Sequence, residues 1–517
     1  MTQEATVSRR GFVAAGMAAA AVAATATAGV SAARADDIAW DYAADVVVAG
    51  TGGAGITTAM VAADAGSSVI IIEKAPEPYM GGNTRVSMQA FWTPVDVDGA
   101  VEYIKEIAGE DHLYGQDDEY LRKFCEYSAS LRDWFTENTR GCNLVDPKLT
   151  AEYPAAPHAS ASALSWSEEG QGYMRVWNAL HEAAVRKENI TWMFETPLTD
   201  FIFNDEGEVI GIEAEQNGET IRIKASQGVC LCTGGYENND ELKANYLRAP
   251  SSLAWQFCGT PYNTGDGQII CMKHDIRMWH MNMATAGCFM GIKLPWVEEE
   301  DFKAYSLSCE IADDYGYIWL DKQGKRFMSE LRGGEHGFAR QDWFYYDGPT
   351  MDWPRLPIWF FFDQEALDNG KIGQYSSYDQ WLSMIGGYTL SPDMSHEVEE
   401  GVCLRSDSLE DLAAQMGVDP EVLVNTIETY NGYCEMGYDP EFGRVSGESV
   451  EHEAVKANGV QSSTQMRALN APYYAMQVYP LMVNTQGGPQ HDKNRRLMRN
   501  DGTLIPRLYS AGECGSI

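Results

Sequence analysis

The alternation of apolar and polar positions is most informative over residues 45–74. Residues 46–48 form a β-branched run, which is typical of a buried parallel strand. A glycine-rich turn and an apolar stretch follow, and this stretch predicts a helix. Val69–Ile72 form a second apolar run. The order of these segments predicts a strand, a helix and a second strand of a Rossmann-like α/β fold.

The turn after the first predicted strand carries a dinucleotide-binding pattern. Gly50, Gly52 and Gly55 give G-x-G-x-x-G. The first glycine allows the tight turn, the second lets the backbone approach a pyrophosphate, and the third lets helix and strand pack closely. The phosphates would lie at the positive N-terminus of the helix. Glu73 ends the second strand, where its carboxylate can accept hydrogen bonds from ribose hydroxyls. The pattern predicts a bound dinucleotide, and a glycine-rich packing turn is the alternative.

Weaker patterns predict further elements along the chain. Residues 209–213 and 228–233 predict strands. Residues 408–434 predict two helices, with Ser408 as the N-cap of the first and a break over residues 417–420. With 517 residues, the chain is long enough for two domains with substantial cores.

A series of short motifs extends over most of the chain. They are GGNTRVS at 81–87, CTGGY at 232–236, NTGDG at 263–267, GKRFMSE at 324–330, GG at 487–488 and IPRLYSAGE at 505–513. In this order they resemble the FAD-dependent oxidoreductase family that includes fumarate reductases, urocanate reductases and 3-ketosteroid dehydrogenases. The resemblance covers residues 43–517 and implies FAD, not NAD, as the bound nucleotide.

The resemblance also implies a domain organisation. A Rossmann-like FAD-binding domain is expected over residues 36–290 and again over 470–517. An inserted α+β capping domain is expected over residues 291–469. In the family, a glycine turn and a last helix follow the A-G-E segment, whereas this sequence ends at Ile517. We therefore expect the second part of the FAD-binding domain to be truncated.

The family motifs, together with the glycine turn, imply a set of residues that bind FAD. Arg85, directly after the flavin-binding Asn-Thr pair, is a further candidate for contact with substrate or phosphate. The implied FAD-binding residues are Gly50, Gly52, Gly53, Ala54, Gly55, Glu73, Lys74, Gly82, Asn83, Thr84, Ser87, Thr233, Gly234, Asp266, Gly512 and Glu513.

The resemblance implies a hydride-transfer reaction. Reduced flavin passes hydride from N5 to a polarised C=C bond, and a nearby acid protonates the other carbon. In fumarate reductases a catalytic arginine follows the G-K-R-F motif, at a position that is Gly334 here. Arg332 lies close by and is the first candidate proton donor, with a surface or salt-bridged arginine as the alternative. His336 is a second candidate, with an ordinary loop histidine as the alternative.

Two further positions depart from the fumarate reductase pattern. The family's proton relay pairs a glutamate with an arginine; Glu310 fits the glutamate, but Asp313 stands at the position of the arginine. The histidine that binds a substrate carboxylate is replaced by Asn484. These changes argue against fumarate, and against other small dicarboxylates, as the substrate.

The remaining similarity is to 3-ketosteroid dehydrogenases. NTQGGP at 484–489 resembles their T-K-G-G segment, and PYYA at 472–475 resembles a segment whose tyrosine hydroxyl polarises the substrate carbonyl. Tyr474 is therefore a candidate electrophile or acid, with a tyrosine of an amphipathic strand as the alternative. Aromatic residues are dense between residues 296 and 362. They predict hydrophobic core or, alternatively, a pocket for a flat apolar substrate.

The N-terminus predicts export by the twin-arginine route. Residues 8–12 (SRRGF) precede an alanine-rich stretch, and residues 33–35 (ARA) offer a cleavage site. Residues 1–35 are therefore expected to be a signal peptide, with an uncleaved membrane anchor as the alternative. The mature protein is expected in the cell envelope, in the periplasm or outside the cell, with no membrane span after cleavage.

Composition narrows the possible partners. The net charge of −37 argues against nucleic acid and anionic lipid surfaces. The 11 cysteines include no C-x-x-C pair, so neither a metal site nor a haem attachment site is expected. Because the chain has one dinucleotide motif, we expect a separate electron donor, either a cytochrome or a carrier linked to membrane quinol.

The resemblance and the N-terminal pattern together imply an exported FAD-dependent oxidoreductase that reduces an activated C=C bond. The expected substrate is a steroid-like or aromatic enone, or an acrylate, and not fumarate. The first alternative is a desaturase resembling 3-ketosteroid 1,2-dehydrogenase. The second alternative is a truncated protein that binds flavin without turnover.

Overall fold

A computed structural model describes most of the chain. The described residues are 38–109, 118–151, 153, 156–249, 256–257, 259–295, 305–307, 316–330, 341–369, 390–444 and 466–515. The helices are α1 (Gly53–Asp64), α2 (Gly82–Val86), α3 (Val97–Ala108), α4 (Asp118–Asn138), α5 (Arg175–Val185), α6 (Asp240–Tyr246), α7 (Asp266–Lys273), α8 (Gln364–Asn369), α9 (Ser395–Glu399), α10 (Leu409–Met416) and α11 (Pro420–Met436).

The strands fall into two large and two small sheets. They are β1 (Tyr42–Ala49), β2 (Val69–Ile72), β3 (Phe91–Trp92), β4 (Lys148–Leu149), β5 (Ala163–Ser165), β6 (Ile190–Met193), β7 (Leu198–Phe203), β8 (Val209–Gln216), β9 (Glu219–Leu231), β10 (Gln256–Phe257), β11 (Met278–Trp279), β12 (Ala284–Ile292), β13 (Tyr305–Leu307), β14 (Tyr317–Leu320), β15 (Ile358–Asp363), β16 (Cys403–Ser406), β17 (Tyr473–Thr485), β18 (Gly488–Pro489), β19 (Arg496–Met498) and β20 (Leu504–Ser510).

The first large sheet carries the predicted α/β unit. Its order is β19-β20-β9-β1-β2-β6, and β7 and β8 extend it beyond β9. Strand β1 has parallel neighbours on both sides, β2 and β9. Val47 and Val48, which point to opposite faces of β1, are both fully buried. The predicted order of strand, helix and strand and the predicted fold class are confirmed.

Helix α1 packs on one face of this sheet because its apolar residues form a stripe. Ile56, Ala59 and Met60 are fully buried. They share a core cluster with Trp177 and Leu180 of α5. The strand predicted at residues 228–233 is the last part of β9, which begins earlier, at Glu219, and ends at Leu231.

The second large sheet is antiparallel at its centre and is built around the long strand β17. Its order is β13-β12-β17-β15-β14, and β10 and β16 also pair with β17. Strand β12 begins at Ala284 and β17 ends at Thr485, so this sheet extends past residues 291–469 on both sides. Aromatic residues of the predicted insert pack in its core, among them Tyr317, Trp319, Trp343, Phe344, Phe360 and Phe362.

The predicted helix pair lies beside the second sheet. The Ser408 hydroxyl accepts a hydrogen bond from the backbone N–H of Asp411 at 3.2 Å, which is the predicted N-cap. Gly417 ends α10 with a φ of 73°, and Pro420 begins α11. Leu412, Leu423 and other apolar residues of the two helices pack against the outer face of the sheet.

A buried ion network fixes the G-K-R-F segment beneath α11. Arg326 pairs with Glu330 and with Asp439, at 2.8 Å in each case. Arg444 pairs with Glu330 at 3.3 Å and donates to the carbonyl of Tyr317 at 2.7 Å. The side chains of all four ionised residues are at most 3% exposed. Two cations therefore balance two carboxylates inside the core.

The described residues contain neither a helix suited to span a membrane nor a group of side chains suited to bind a metal ion. The described helices include none that is both long enough and apolar enough to cross a bilayer. Among the same residues, no three His, Cys, Asp or Glu side chains are grouped so that they could hold a metal ion. Cys230 and Cys232 are buried and free, and their sulfur atoms lie 3.7 Å apart at the end of β9, in the core cluster that includes α1.

Candidate functional site

A cleft opens at the carboxyl ends of β1 and β2. This is the edge at which doubly wound sheets bind their ligands. The implied FAD-binding residues line it, with the exceptions of Gly55 and Ser87. The motifs at 50–55, 81–87, 232–236, 263–267 and 505–513, which are far apart in the chain, therefore meet around one space.

The glycine turn between β1 and α1 forms the floor of the cleft. Gly50 has a φ of +109°, and a Cβ atom there would lie 2.3 Å from the carbonyl oxygen of Cys232. A Cβ atom at Gly55 would lie 2.0 Å from the carbonyl oxygen of Gly50. At Gly52 the nearest atom, Oγ1 of Thr84, would be 3.7 Å away. Gly50 and Gly55 are thus required by packing, while Gly52 leaves open space facing the cleft.

Glu73 lies at the end of β2 and is held from two sides. One carboxylate oxygen accepts hydrogen bonds from the backbone N–H of Thr51, at 3.0 Å, and from the Thr51 hydroxyl. The other oxygen accepts from the backbone N–H of Ala75 at 2.9 Å. These bonds fix the carboxylate at the edge of the cleft, where a ribose would lie.

An ion pair joins two walls of the cleft. Lys74, which follows β2, pairs with Asp266 at the start of α7 at 2.7 Å. Its ammonium group also donates to the hydroxyl of Thr264. Lys74 therefore links the end of β2 to the N-T-G-D-G motif.

The G-G-N-T segment contributes helix α2 to the cleft. The hydroxyl of Thr84 accepts a hydrogen bond from the backbone N–H of Gly53 at 2.9 Å, which ties α2 to the glycine turn. Asn83 donates to a carboxylate oxygen of Glu513 at 3.2 Å. The Oδ1 atom of Asn83 is buried and has no hydrogen-bond partner in the protein. It is therefore available to a donor in the cleft.

The end of β17 lies next to this wall. The Thr485 backbone N–H and hydroxyl both donate to one oxygen of Glu237, at 2.8 and 3.2 Å. Gln486 donates to the hydroxyl of Thr285 at 2.6 Å and to the side-chain oxygen of Asn484 at 3.5 Å. The segment N-T-Q-G-G thus presents neutral amides and hydroxyls beside the cleft.

Sequence reasoning missed several residues of the site. Two of them could have been found from the motifs, because Glu237 directly follows the T-G-G-Y motif and Thr51 lies inside the glycine motif. No sequence signal marked the remaining side chains. The cleft residues that were not predicted include Thr51, Tyr79, Thr196, Thr260 and Tyr262.

Two predicted contacts lie outside the cleft. The hydroxyl of Ser87 donates to the carbonyl of Thr84 at 3.1 Å and caps the end of α2. Arg85 donates to the carbonyls of Pro78 and Met80 at 2.8 and 3.0 Å, and its guanidinium lies 4.7 Å above the Trp177 ring. Arg85 therefore holds the turn before α2, and it does not line the cleft.

Tyr474 also lies away from the cleft. Its side chain is 4% exposed and stacks on Phe362 at 5.3 Å. Its hydroxyl donates to Gln364 at 2.6 Å and accepts from Arg405 at 3.3 Å. Tyr474 and Thr485 stand at opposite ends of β17, roughly 36 Å apart at about 3.3 Å per residue. The tyrosine of an amphipathic strand, the alternative interpretation, fits this position.

The other catalytic candidates lie outside the described residues. These are Arg332 and His336, together with Gly334, Glu310 and Asp313 of the family comparison. Their roles stay predictions.

Comparisons with known proteins agree with the geometry of the cleft. A family described as FAD binding domain matches residues 45–517. 3-Oxosteroid 1-dehydrogenase of Mycolicibacterium smegmatis is 26% identical over 91% of this chain and 92% of its own length. Fumarate reductase (cytochrome) of Shewanella frigidimarina is 26% identical over 91% of this chain and 71% of its own length. The crystal structure of 3-ketosteroid Δ1-dehydrogenase from Sterolibacterium denitrificans has a similar fold, with a TM-score of 0.70, 21% identity, and coverage of 92% of this chain and 94% of that chain.

Proposed function

Because the chain belongs to the FAD binding domain family, we propose that it is an exported oxidoreductase acting on the activated C=C bond of an enone or acrylate. FAD is its cofactor, and its relatives act on C–C and C=C bonds. The class of substrate, the direction of the reaction and the location of the enzyme are the proposed parts of this function. The single observation that carries the substrate class is the neutral N-T-Q-G-G segment beside the cleft.

The residues of the cleft fit FAD. The open space at Gly52 lets the backbone approach a pyrophosphate at the N-terminus of α1. Glu73 is positioned for ribose hydroxyls, and the unpartnered Oδ1 of Asn83 can accept from a hydroxyl of the flavin side chain. When bound, FAD supplies hydride transfer at N5 of its ring.

The chain itself binds and orients the reactants. Lys74 and Asp266 hold the walls of the cleft together, and Thr84 fixes α2 against the glycine turn. The Asn484 amide nitrogen donates to the carbonyl of Thr485 at 3.3 Å, and its second N–H can hydrogen-bond a substrate carbonyl and so polarise the adjacent C=C bond. Arg332 is proposed as the proton donor to the second carbon.

The neutral N-T-Q-G-G segment favours an enone over a dicarboxylate. A small dicarboxylate needs cationic or charge-assisted partners when it leaves water, because a buried carboxylate without them is costly. Asn484 stands where the fumarate reductases have a histidine, and its amide can satisfy a carbonyl but cannot neutralise a carboxylate. A steroid-like or aromatic enone presents a carbonyl and no carboxylate, so neutral amides can satisfy it.

The reverse direction is a second candidate function. The M. smegmatis relative named 3-oxosteroid 1-dehydrogenase matches this chain over 92% of its own length. The solved 3-ketosteroid Δ1-dehydrogenase has the same fold over 92% of this chain. These observations support desaturation of a saturated 3-ketosteroid as the alternative reaction.

The proposed enzyme obtains or disposes of its electrons through a separate protein. Its one dinucleotide motif accounts for FAD and leaves no second motif for a nicotinamide cofactor. A cytochrome or a quinol-linked carrier would therefore serve as the redox partner. The S. frigidimarina relative is named a fumarate reductase (cytochrome), which supports a haem protein as the partner class. Export through the signal at residues 1–35 would place both proteins beyond the cytoplasmic membrane.

Stopped-flow reoxidation of the anaerobically reduced protein tests the substrate class. The panel contains fumarate, urocanate, cinnamate and a 3-keto-4-ene steroid, and flavin absorbance is the signal. We expect one enone or acrylate to reoxidise the flavin at least about 100-fold faster than fumarate, because the neutral N-T-Q-G-G segment leaves a second carboxylate unpaired. Equal rates with fumarate would contradict the proposal. Rapid bleaching of the oxidised flavin by a saturated 3-ketosteroid would favour the second candidate.

Asn484→His is the matched variant for this panel. It introduces the residue type that the fumarate reductases carry at this position. We expect it to raise the rate with fumarate and to lower the rate with the enone, so that the ratio of the two rates falls about tenfold or more. An unchanged ratio would show that Asn484 does not contact the substrate.

Replacement of Tyr474 by phenylalanine is expected to leave the reaction rate within about twofold of wild type. The hydroxyl bonds Gln364 and Arg405 at the far end of β17, so its loss costs only about 1 kcal/mol of local stability. Single-turnover reoxidation and thermal unfolding measure the two effects. A rate lower by a factor of ten or more, with normal stability, would show that the Tyr474 hydroxyl takes part in the reaction.

A further inference from the structure

Two carboxyl groups meet where the cleft adjoins the end of β17. Glu237 is fully buried; its Oε1 atom accepts both hydrogen bonds from Thr485, and its Oε2 atom has no partner. Glu513 lines the cleft; its Oε2 atom accepts from Asn83 at 3.2 Å and from Asn263 at 3.3 Å. The Oε1 atom of Glu513 is buried and also has no partner. Each carboxylate thus has one oxygen satisfied and one left over.

The surroundings supply no counter-charge for two ionised carboxylates. Among the described residues, no lysine, arginine or histidine forms an ion pair with Glu237 or Glu513. The titratable groups that interact with the pair include Tyr236, whose hydroxyl donates to the Met281 carbonyl, and Cys514, whose sulfur accepts a hydrogen bond from Thr233. Burial raises the pKa of Cys514 to about 12 and also raises that of Tyr236, so both groups stay neutral.

Burial, and then the charge and hydrogen bonding of Glu237, raise the pKa of Glu513 well above its ordinary value of 4.5. The two carboxyl groups are hydrogen-bonding neighbours, and neighbouring buried like charges cannot both ionise without a large penalty, so one proton is retained between them. The geometry agrees, because a carboxylic acid donates one O–H bond and each group has one free oxygen.

We propose that Glu237 and Glu513 share one proton between their unpartnered oxygens, and that this bond positions the N-T-Q-G-G segment against the FAD cleft. Through it, Asn83 and Asn263 of the flavin motifs are linked to Thr485 of β17. Glu237 and Glu513 are positioning residues in this arrangement. The proposal does not depend on which substrate the enzyme uses.

Gly235 explains how the two walls approach so closely. A Cβ atom at this position would lie 2.2 Å from the Thr485 hydroxyl and 2.4 Å from the Oε1 atom of Glu237. The second glycine of the T-G-G-Y motif is therefore required by the Glu237–Thr485 bonds. The shared proton also limits the pair to one negative charge, which keeps this wall of the cleft less negative than two free carboxylates would.

Infrared spectroscopy of the FAD-loaded, full-length protein tests the proposal directly. Glutamate labelled with ¹³C at its carboxyl carbon identifies the C=O stretch of a protonated glutamic acid near neutral pH. The samples are wild type, Glu237→Gln, Glu513→Gln and, as a control, Glu215→Gln, whose side chain is exposed on β8. We expect the band in wild type and in the control, and its loss in both cleft variants.

The pattern across the two variants decides between sharing and simple burial. If the proton is shared, either glutamine supplies an amide donor to the remaining carboxylate, which then ionises and loses the band. A band that persists in Glu237→Gln would place the proton on Glu513 alone and overturn the proposal. No band in wild type would overturn it as well.

The pH dependence of unfolding gives a second, independent readout. Because the pKa of Glu513 is raised in the folded state, its stabilising contribution is full below pH 4.5 and is lost as the pH rises through the raised value. The unfolding constant of wild type should therefore increase by up to about tenfold per pH unit in this window. Both glutamine variants should flatten this slope relative to Glu215→Gln, and an unchanged slope in either cleft variant would count against the shared proton.

Discussion

Replacement of Gly55 by alanine is expected to prevent stable folding of the FAD-binding unit. The added Cβ atom would lie 2.0 Å from the carbonyl oxygen and 2.9 Å from the carbonyl carbon of Gly50. Both atoms belong to the backbone of the turn, so relief requires α1 to move away from β1, which carries the fully buried Val47 and Val48. We expect a loss of at least about 3 kcal/mol, seen as a low soluble yield and early thermal unfolding.

Gly52→Ala is the informative partner of this variant. Its Cβ atom would meet nothing in the protein closer than 3.7 Å, so the fold should be retained. It would occupy the space that the pyrophosphate approaches, and the dissociation constant of FAD should rise roughly 10- to 100-fold. Titration of the apoprotein with FAD measures this effect.

Gly348→Ala controls for glycine replacement in general, since its Cβ atom would have no neighbour within 4 Å. It should match wild type in both folding and FAD binding. If Gly55→Ala folds and binds FAD like wild type, α1 and the turn after β1 are not packed too closely for a Cβ atom at residue 55. If Gly52→Ala binds FAD as tightly as wild type, the pyrophosphate does not lie over the turn.

Replacement of Glu330 by glutamine is expected to destabilise the second sheet by about 3–5 kcal/mol. Glu330 accepts from Arg326 at 2.9 and 2.8 Å and from Arg444 at 3.3 Å, and its side chain is fully buried. The neutral amide leaves Asp439 as the one remaining carboxylate of the network for two buried guanidinium groups. Hydrogen exchange of β14 and α11, which enclose the network, reports the local free energy of opening.

Glu102→Gln provides the matched control. Glu102 pairs with Lys105 at 3.1 Å, but its side chain is 51% exposed, so its loss should cost at most about 1 kcal/mol. Equal effects of the two variants would show that the buried network does not stabilise the second sheet.

The same network predicts loss of stability in acid. Burial raises the pKa of Glu330, but Arg326 and then Arg444 more than offset this, so the pKa lies below its ordinary value of 4.5. The stabilisation is therefore present above pH 4.5 and is lost as the pH falls through the depressed value. In Glu330→Gln this part of the acid sensitivity of α11 should be absent.

The role of the G-K-R-F motif illustrates the limit of motif reasoning. The sequence resemblance pointed to catalysis because the family's arginine lies just after this motif. In the structure, Arg326 and Glu330 of the motif bind each other inside the core. These two residues hold the second sheet and α11 together. A motif can be recognised without showing which of its residues face the reaction and which face the core.

Local patterns determined the elements that short-range physics controls. The apolar runs predicted β1 and β2, the glycine spacing predicted the turn and α1, and the Ser408 cap predicted the start of α10. Strand alternation and helix capping act between residues a few positions apart, so they can be read from neighbouring letters. The family motifs added FAD and the residues around it, because each motif is a short contiguous segment.

Tertiary structure alone decided which distant residues meet. Nothing in the local pattern places Glu237 against Glu513, or shows that β17 carries Tyr474 far from the cleft while bringing Thr485 to its edge. These relations depend on the register of strands that are far apart in the chain and on the packing of two sheets. Long-range contacts of this kind leave no periodic signal in a single sequence. The sequence by itself therefore determined the cofactor and most of the residues around it, and the fold decided which distant side chains meet beside the cleft and which stabilise the core.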